Sequence, residues 1–143
     1  MNSIQIKNAD DMEAIGAQLA RQTKAPCIIF LEGDLGAGKT TLVRGFLREL
    51  GYAGIVKSPT YNIVESYELR DKVIHHFDLY RLTDVNELEM MGFLDYFDDY
   101  AICLIEWPEI AKGYLKQPDI YCTIDSVGSE REIHLINYDE QTD

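Results

Sequence analysis

Long apolar runs are missing from this sequence. The two longest, Cys27–Leu31 and Ala101–Ile105, hold five residues each, and a membrane-spanning helix needs about 20. The opening stretch MNSIQIKNADDM also lacks the apolar centre of a secretory signal. A soluble, cytoplasmic protein with no membrane contact is therefore expected. Cysteine is scarce: Cys27, Cys103 and Cys122 are widely spaced, with no C-x-x-C pair for zinc or redox chemistry. Two sit in apolar runs and one in an alternating run, so all three read as small core residues. Basic residues are few, 13 against 25 acidic ones, for a net charge of −12. That balance excludes autonomous gripping of a phosphate backbone and docking on anionic lipid. Repeats, low-complexity segments and flexible linkers are absent as well. A chain of 143 residues then predicts a single domain over 1–143, large enough to bury a core without disulfides.

The patterns that are present alternate between strand and helix. Ile4 and Ile6 alternate in Ser3–Lys7, a short edge strand. Asp10 and Glu13 resemble a capping box, ahead of Met12, Ile15, Leu19 and Ala20 at helical spacing. Cys27–Leu31 is continuously apolar, as in a strand buried on both faces. Lys39–Leu50 predicts a helix with Leu42, Phe46, Leu47 and Leu50 on one side, stopped by Gly51. Tyr61–Leu69 and Val73–Asp78 flank a polar turn and predict a hairpin. Asp84–Met91 reads as a short helix, Ala101–Ile105 as a second buried strand, and Pro108 as the start of a helical turn. Ile120, Cys122 and Ile124, then Ile133 and Leu135, predict a C-terminal β-hairpin around Ser126–Glu130. The fold class expected is α/β, a mixed sheet flanked by helices.

One segment carries specific chemistry. Gly33-Asp34-Leu35-Gly36-Ala37-Gly38-Lys39-Thr40 fits G-x-x-x-x-G-K-[ST], between an apolar strand and a helix. Glycines let backbone N–H groups approach a phosphate, and the helix start adds unpaired N–H groups and a positive dipole end. Lys39 suits the β- and γ-phosphates, and the Thr40 hydroxyl suits Mg²⁺. Thr41 either contacts the α-phosphate or only begins the helix. The loop Asp34, Gly36, Ala37, Gly38, Lys39, Thr40 and Thr41 is thus the expected site for a nucleotide and Mg²⁺ in a P-loop NTPase-like fold.

A phosphate-loop enzyme also needs an acid near the metal. Glu106 closes Ala101–Ile105 in the manner of a Walker B strand, and Asp78 closes Val73–Asp78. Either can ligate Mg²⁺ or hold the attacking water, and spacing does not divide the roles. Ser58-Pro59-Thr60 is a candidate switch loop or an ordinary strand entry. His75 and His76 are adjacent on a strand, point to opposite faces, and so read as one core and one surface residue. Trp107 is a core residue, a shield for the nucleotide, or a partner contact.

Five segments in one order add a resemblance. GDLGAGKTTLVRGFL, VKSPTYNIVESY, HFDLYRL, ELEMMGFLDYF and ICLIEWPE are together similar to the bacterial tRNA threonylcarbamoyladenosine biosynthesis protein family TsaE (YjeE). The resemblance implies a small cytoplasmic Mg²⁺-dependent ATPase working with the TsaB and TsaD proteins. Its pathway places threonylcarbamoyl on an adenosine of tRNAs that read ANN codons, and tRNA is reached only through the complex. Carried over, Thr40 and Glu106 bind Mg²⁺, Asp78 serves hydrolysis, and Ser58–Thr60 act as the switch. The family often has Thr near the adenine, where this chain reads Asn8-Ala9-Asp10-Asp11. A GTPase is disfavoured, since no N-K-x-D occurs. A small-molecule P-loop kinase is the rival enzyme. It usually closes an Arg-rich lid, whereas Asp84–Tyr100 holds six acids and no Lys or Arg. A nucleotide-gated interaction module is the third reading.

Overall fold

The computed structural model describes residues 2–59 and 62–138. Thr60 and Tyr61, which belong to the expected switch and strand entry, lie outside the described residues. Seven strands form one sheet in the order β1-β7-β6-β2-β5-β4-β3. They are β1 (Asn2–Ile6), β2 (Cys27–Gly33), β3 (Val64–Leu69), β4 (Lys72–Asp78), β5 (Ala101–Glu106), β6 (Ile120–Val127) and β7 (Glu130–Asn137). The central four, β6, β2, β5 and β4, run parallel. The flanks are antiparallel, with β3 on β4 and with β7 and β1 beyond β6. The mixed sheet and the terminal hairpin match the sequence expectation.

Strand parity builds two cores. On one face Ile29, Leu31, Ile74, Ile102, Leu104, Cys122 and Ile124 pack against the helices α1 (Ala9–Gln22) and α2 (Lys39–Glu49). On the other, Phe30, Phe77, Cys103 and Ile105 pack against Leu88 of α3 (Asn86–Met90) and Phe93 of the 3₁₀ turn Phe93–Tyr96. Burying each large apolar side chain contributes roughly 1.5–3 kcal/mol, so both layers hold the sheet between them. All three cysteines are buried, and desolvation pushes the Cys103 thiol up to about 12, so it behaves as an inert core residue. No helix among the described residues is long and apolar enough to cross a membrane.

Several boundaries differ from the sequence reading. The cap of α1 is Asn8, whose side chain accepts from the Asp11 N–H. The Asp11 carboxylate accepts in turn from the Lys7 N–H at 3.0 Å, so the Asp10–Glu13 box is not formed. Asn8 takes the role because its extended backbone sits one step before the helix. The hairpin strand begins at Val64, and α3 begins at Asn86 after Asp84 has folded its carboxylate onto the Asn86 N–H. The last turn is also shorter, Gly128-Ser129 only, because the β6–β7 ladder extends to Val127 and Glu130.

The close approach of α1 and α2 requires small residues. A Cβ on Gly45 would fall 2.1 Å from the Glu13 carbonyl oxygen, and one on Gly16 would fall 2.0 Å from that of Leu42. This contact fixes where α2 begins, and with it the Gly-rich loop.

Candidate functional site

The Gly-rich loop joins β2 to α2 at the C-terminal edge of the parallel strands. β2 lies between β5 and β6 there, the crevice where open α/β sheets bind ligands. Gly36 and Gly38 have φ of 79° and 112°, a region where a side chain is strained. Gly38 caps α2 with no side-chain acceptor, and the first turn of α2 carries no acid. Its unpaired N–H groups and positive dipole end are therefore open to an anion. Asp34 is exposed, with its carbonyl accepting from the Ala37 N–H at 3.0 Å, which closes the loop.

Strand parity delivers the acids. Asp78 and Glu106 are register partners at the ends of β4 and β5. Glu106 follows Ile102 and Leu104, and Asp78 follows Ile74 and His76, so both fall on the face that α2 covers. A cleft of about 240 Å³ gathers Lys39, Thr40, Ser58, Asp78, Glu106 and Trp107. Six residues singled out from sequence thus meet at one place. Thr41 lines the same cleft.

The contacts in this cleft are polar and short. Thr40 Oγ1 bonds Ser58 Oγ, and it donates to Glu106 Oε2 at 3.2 Å. His76 Nε2 lies 2.6 Å from the same Glu106 oxygen. His76 and Glu106 are both buried, at 0% and 2% exposure. A carboxylate only accepts, so the ring hydrogen belongs on Nε2. The other tautomer would set lone pair against lone pair and bury an Nδ1–H with no acceptor among the described residues, a loss of about 1–3 kcal/mol.

Lys39 is buried, its ammonium donating to the Gly33 carbonyl and standing 3.6 Å from the centroid of the Trp107 ring. Desolvation lowers its pKa, while Glu106, Glu109, Asp78 and Asp34 pull it back up. Asp78 is shifted upward, first by burial and also by Glu106, although the Tyr80 N–H bonds its carboxylate at 3.0 Å and opposes the shift. Trp107 turns the chain out of β5 at φ 59° and packs on Tyr80, ring centroids 4.9 Å apart. A non-glycine residue in that conformation costs about 1–2 kcal/mol, and such strain gathers at functional sites.

The donor set fits Mg²⁺. Thr40 presents a hard oxygen within bonding distance of those of Ser58 and Glu106, and no group of three or more His, Cys, Asp or Glu among the described residues can hold a metal alone. Magnesium is ordinarily held by one or two carboxylates together with substrate phosphates. The loop fits a polyphosphate by its open backbone and by Lys39.

Three contributors escaped the sequence reading. His76 was read only as one of a core-and-surface pair with His75, although its parity with Asp78 places it on the α2 face. Tyr80 borders the cleft beside Trp107. Arg131 of β7 donates to the Gly36 carbonyl at 3.4 Å, a contact that depends on β6 pairing with β2. Arg131 also lines a neighbouring cleft of about 220 Å³ with Asn8, Met12, Gly36, Thr41 and Ser129. His75 lies on the opposite face, 2.7 Å from Ser66 Oγ, so the two histidines do separate as expected.

Known proteins resemble this chain over most of its length. Residues 6–133 match the profile of the family described as "Threonylcarbamoyl adenosine biosynthesis protein TsaE". The tRNA threonylcarbamoyladenosine biosynthesis protein TsaE of Haemophilus influenzae is 52% identical over 118 residues, 82% of this chain and 75% of that protein. Its counterpart in Bacillus subtilis is 39% identical over 127 residues, covering 88% and 79%. The crystal structure of Bacillus subtilis YdiB superposes with a TM-score of 0.78 at 31% identity, covering 95% of this chain and 84% of that one.

Proposed function

The chain belongs to the TsaE family of threonylcarbamoyl adenosine biosynthesis proteins, and on that premise we propose that it is a Mg²⁺-dependent P-loop ATPase, a single cytoplasmic domain that sustains tRNA threonylcarbamoylation. The observation that carries the reading is the convergence of Lys39, Thr40, Ser58, Asp78 and Glu106 on one cleft at the mouth of the Gly-rich loop.

In this reading the phosphates of ATP lie on Gly36–Thr41. The α2 N–H groups and Lys39 neutralise them, Lys39 leaving the Gly33 carbonyl to do so. Thr40 and Glu106 would hold Mg²⁺, which would supply positive charge against that developing on the phosphates. Asp78 orients the attacking water. Its raised pKa is suited to accepting a proton, since general bases work best near the operating pH. The base of the nucleotide extends into the cleft of Asn8, Ser129 and Arg131, which shares Gly36, Gly38 and Thr41 with the phosphate cleft. Ser58 bonds Thr40 directly, so Ser58 couples the proposed switch to the metal side of the site.

The partners in this reading are the TsaB and TsaD proteins, which reach the tRNA and transfer the threonylcarbamoyl group for ANN-decoding tRNAs. Phosphoryl transfer depends on positioning and charge, so a partner that completes the site can supply much of the acceleration. The six acids of Asp84–Tyr100 argue against the small-molecule kinase alternative, because they leave no basic lid. An ATPase assay with and without TsaB–TsaD tests the assignment. A large rise in phosphate release is expected, and transfer of phosphate to a small acceptor would overturn it.

A further inference from the structure

We propose that His76 is a positioning residue for Mg²⁺, holding the Glu106 carboxylate in the orientation that lets it take the ion beside Thr40. The inference rests on the reading above that Glu106 is a ligand.

Register brings the two together. His76 is paired with Leu104 on the β4–β5 ladder, two residues before the Asp78–Glu106 pair, so its ring projects on the α2 face towards Glu106. The Nε2–Oε2 distance is 2.6 Å, and neither group is exposed to water. A glutamate has three torsions, and an untethered carboxylate would have to be ordered when the ion arrives. Here Oε2 is already fixed from two sides, by His76 Nε2 and Thr40 Oγ1.

A purely structural role explains the imidazole poorly. The neighbouring inward positions Ile74, Ile102 and Leu104 are aliphatic. His76 breaks that pattern, and its Nδ1 is buried without a partner among the described residues. A polar ring in an apolar layer with one nitrogen unsatisfied is costly for packing. What it contributes in return is the donor to Glu106. Hydrogen-bond partners of metal ligands typically change metal affinity by 10–100-fold when removed.

The test measures binding without turnover. The full chain is titrated calorimetrically with the non-hydrolysable ATP analogue AMP-PNP, in EDTA and across a Mg²⁺ series. His76→Leu is expected to leave affinity in EDTA within about twofold while reducing the gain from Mg²⁺ about tenfold or more. His76→Gln, whose amide can donate from near the Nε2 position, is expected to keep most of that gain. His76→Asn, whose shorter amide lies near Nδ1, is expected to lose it. A wild-type Mg²⁺ gain in His76→Leu would overturn the inference, as would equal values for the Gln and Asn variants. The Gln–Asn pair decides the matter if the Leu variant does not fold. Glu106→Gln separates the two layers. An unchanged Mg²⁺ gain there removes Glu106 as a ligand altogether. A lost gain there with an intact gain in His76→Leu removes only the role of His76.

Discussion

Lys39 and Asp78 are both charged groups placed where burial opposes their charge. Desolvation lowers the first and raises the second. Removing the Lys39 ammonium deletes the main cation of the loop, so Lys39→Ala is expected to weaken ATP binding by about 10–100-fold or more, read by calorimetry. Wild-type affinity would refute the phosphate role. For Asp78 the sign of the stability effect can be worked out. Its folded pKa lies above the ordinary 3.8, so the ionised carboxylate is disfavoured in the folded state. That penalty is full above the folded pKa, fades as pH falls through it, and is absent below the unfolded value. Asp78→Asn is therefore expected to melt higher than wild type at pH 8, with the two curves converging towards pH 4. The same variant should hydrolyse ATP about 100-fold or more slowly and still bind it. The two outcomes together would fit the usual exchange of stability for activity. Asp78 and Glu106 were both visible in the sequence as acids closing apolar strands. Their shared face follows from strand parity, but the contact of Thr40 with Glu106 needs β2 and β5 side by side.

At the scale of elements, the site depends on how α2 is seated. Its first turn carries Lys39, Thr40 and Thr41, and its inner face meets α1 through Gly45 and Gly16. Gly45→Ala would drive a methyl group to within 2.1 Å of the Glu13 carbonyl. A loss of about 2 kcal/mol or more is expected in denaturant melts, with ATP affinity falling in parallel because the loop shifts with the helix. An unperturbed melt would mean that the helices part without cost. Sequence periodicity located α1 and α2 well, because each buries a stripe of large apolar residues. It placed the α1 cap two residues late. Asn8 and Asp10 are both acceptable caps by composition, and only the backbone course from β1 decides between them. Trp107 shows the same limit. Its left-handed backbone, its tilted packing on Tyr80 and its contact with the Lys39 ammonium all depend on the turn that ends β5.

For the whole molecule, the −12 charge repels a phosphate backbone. A mobility-shift titration of the chain alone is expected to leave tRNA unretained at physiological salt. Retention that weakens steeply as salt rises would show direct backbone contact instead. The Gly-rich loop answers the same electrostatics locally, holding Lys39 and a helix N-terminus within an acidic surface. The partnership proposed above reconciles the two scales, since other subunits can carry the RNA.

The sequence by itself determined the Gly-rich loop with its lysine and threonine, the two core strands, the fold class and the family. These are properties of local spacing, and local spacing is preserved whatever the chain does later. Tertiary structure alone decided which acids, hydroxyls and ring nitrogens face one another. Glu106 meets Thr40, Ser58 lies against Thr40, and His76 holds Glu106, across sequence separations of 66, 18 and 30 residues. Such contacts are set by sheet order and register, in which β5 enters between β2 and β4 although β4 precedes it in the chain. Side-chain pattern does not encode that order directly. It emerges from burying both faces of one sheet at once.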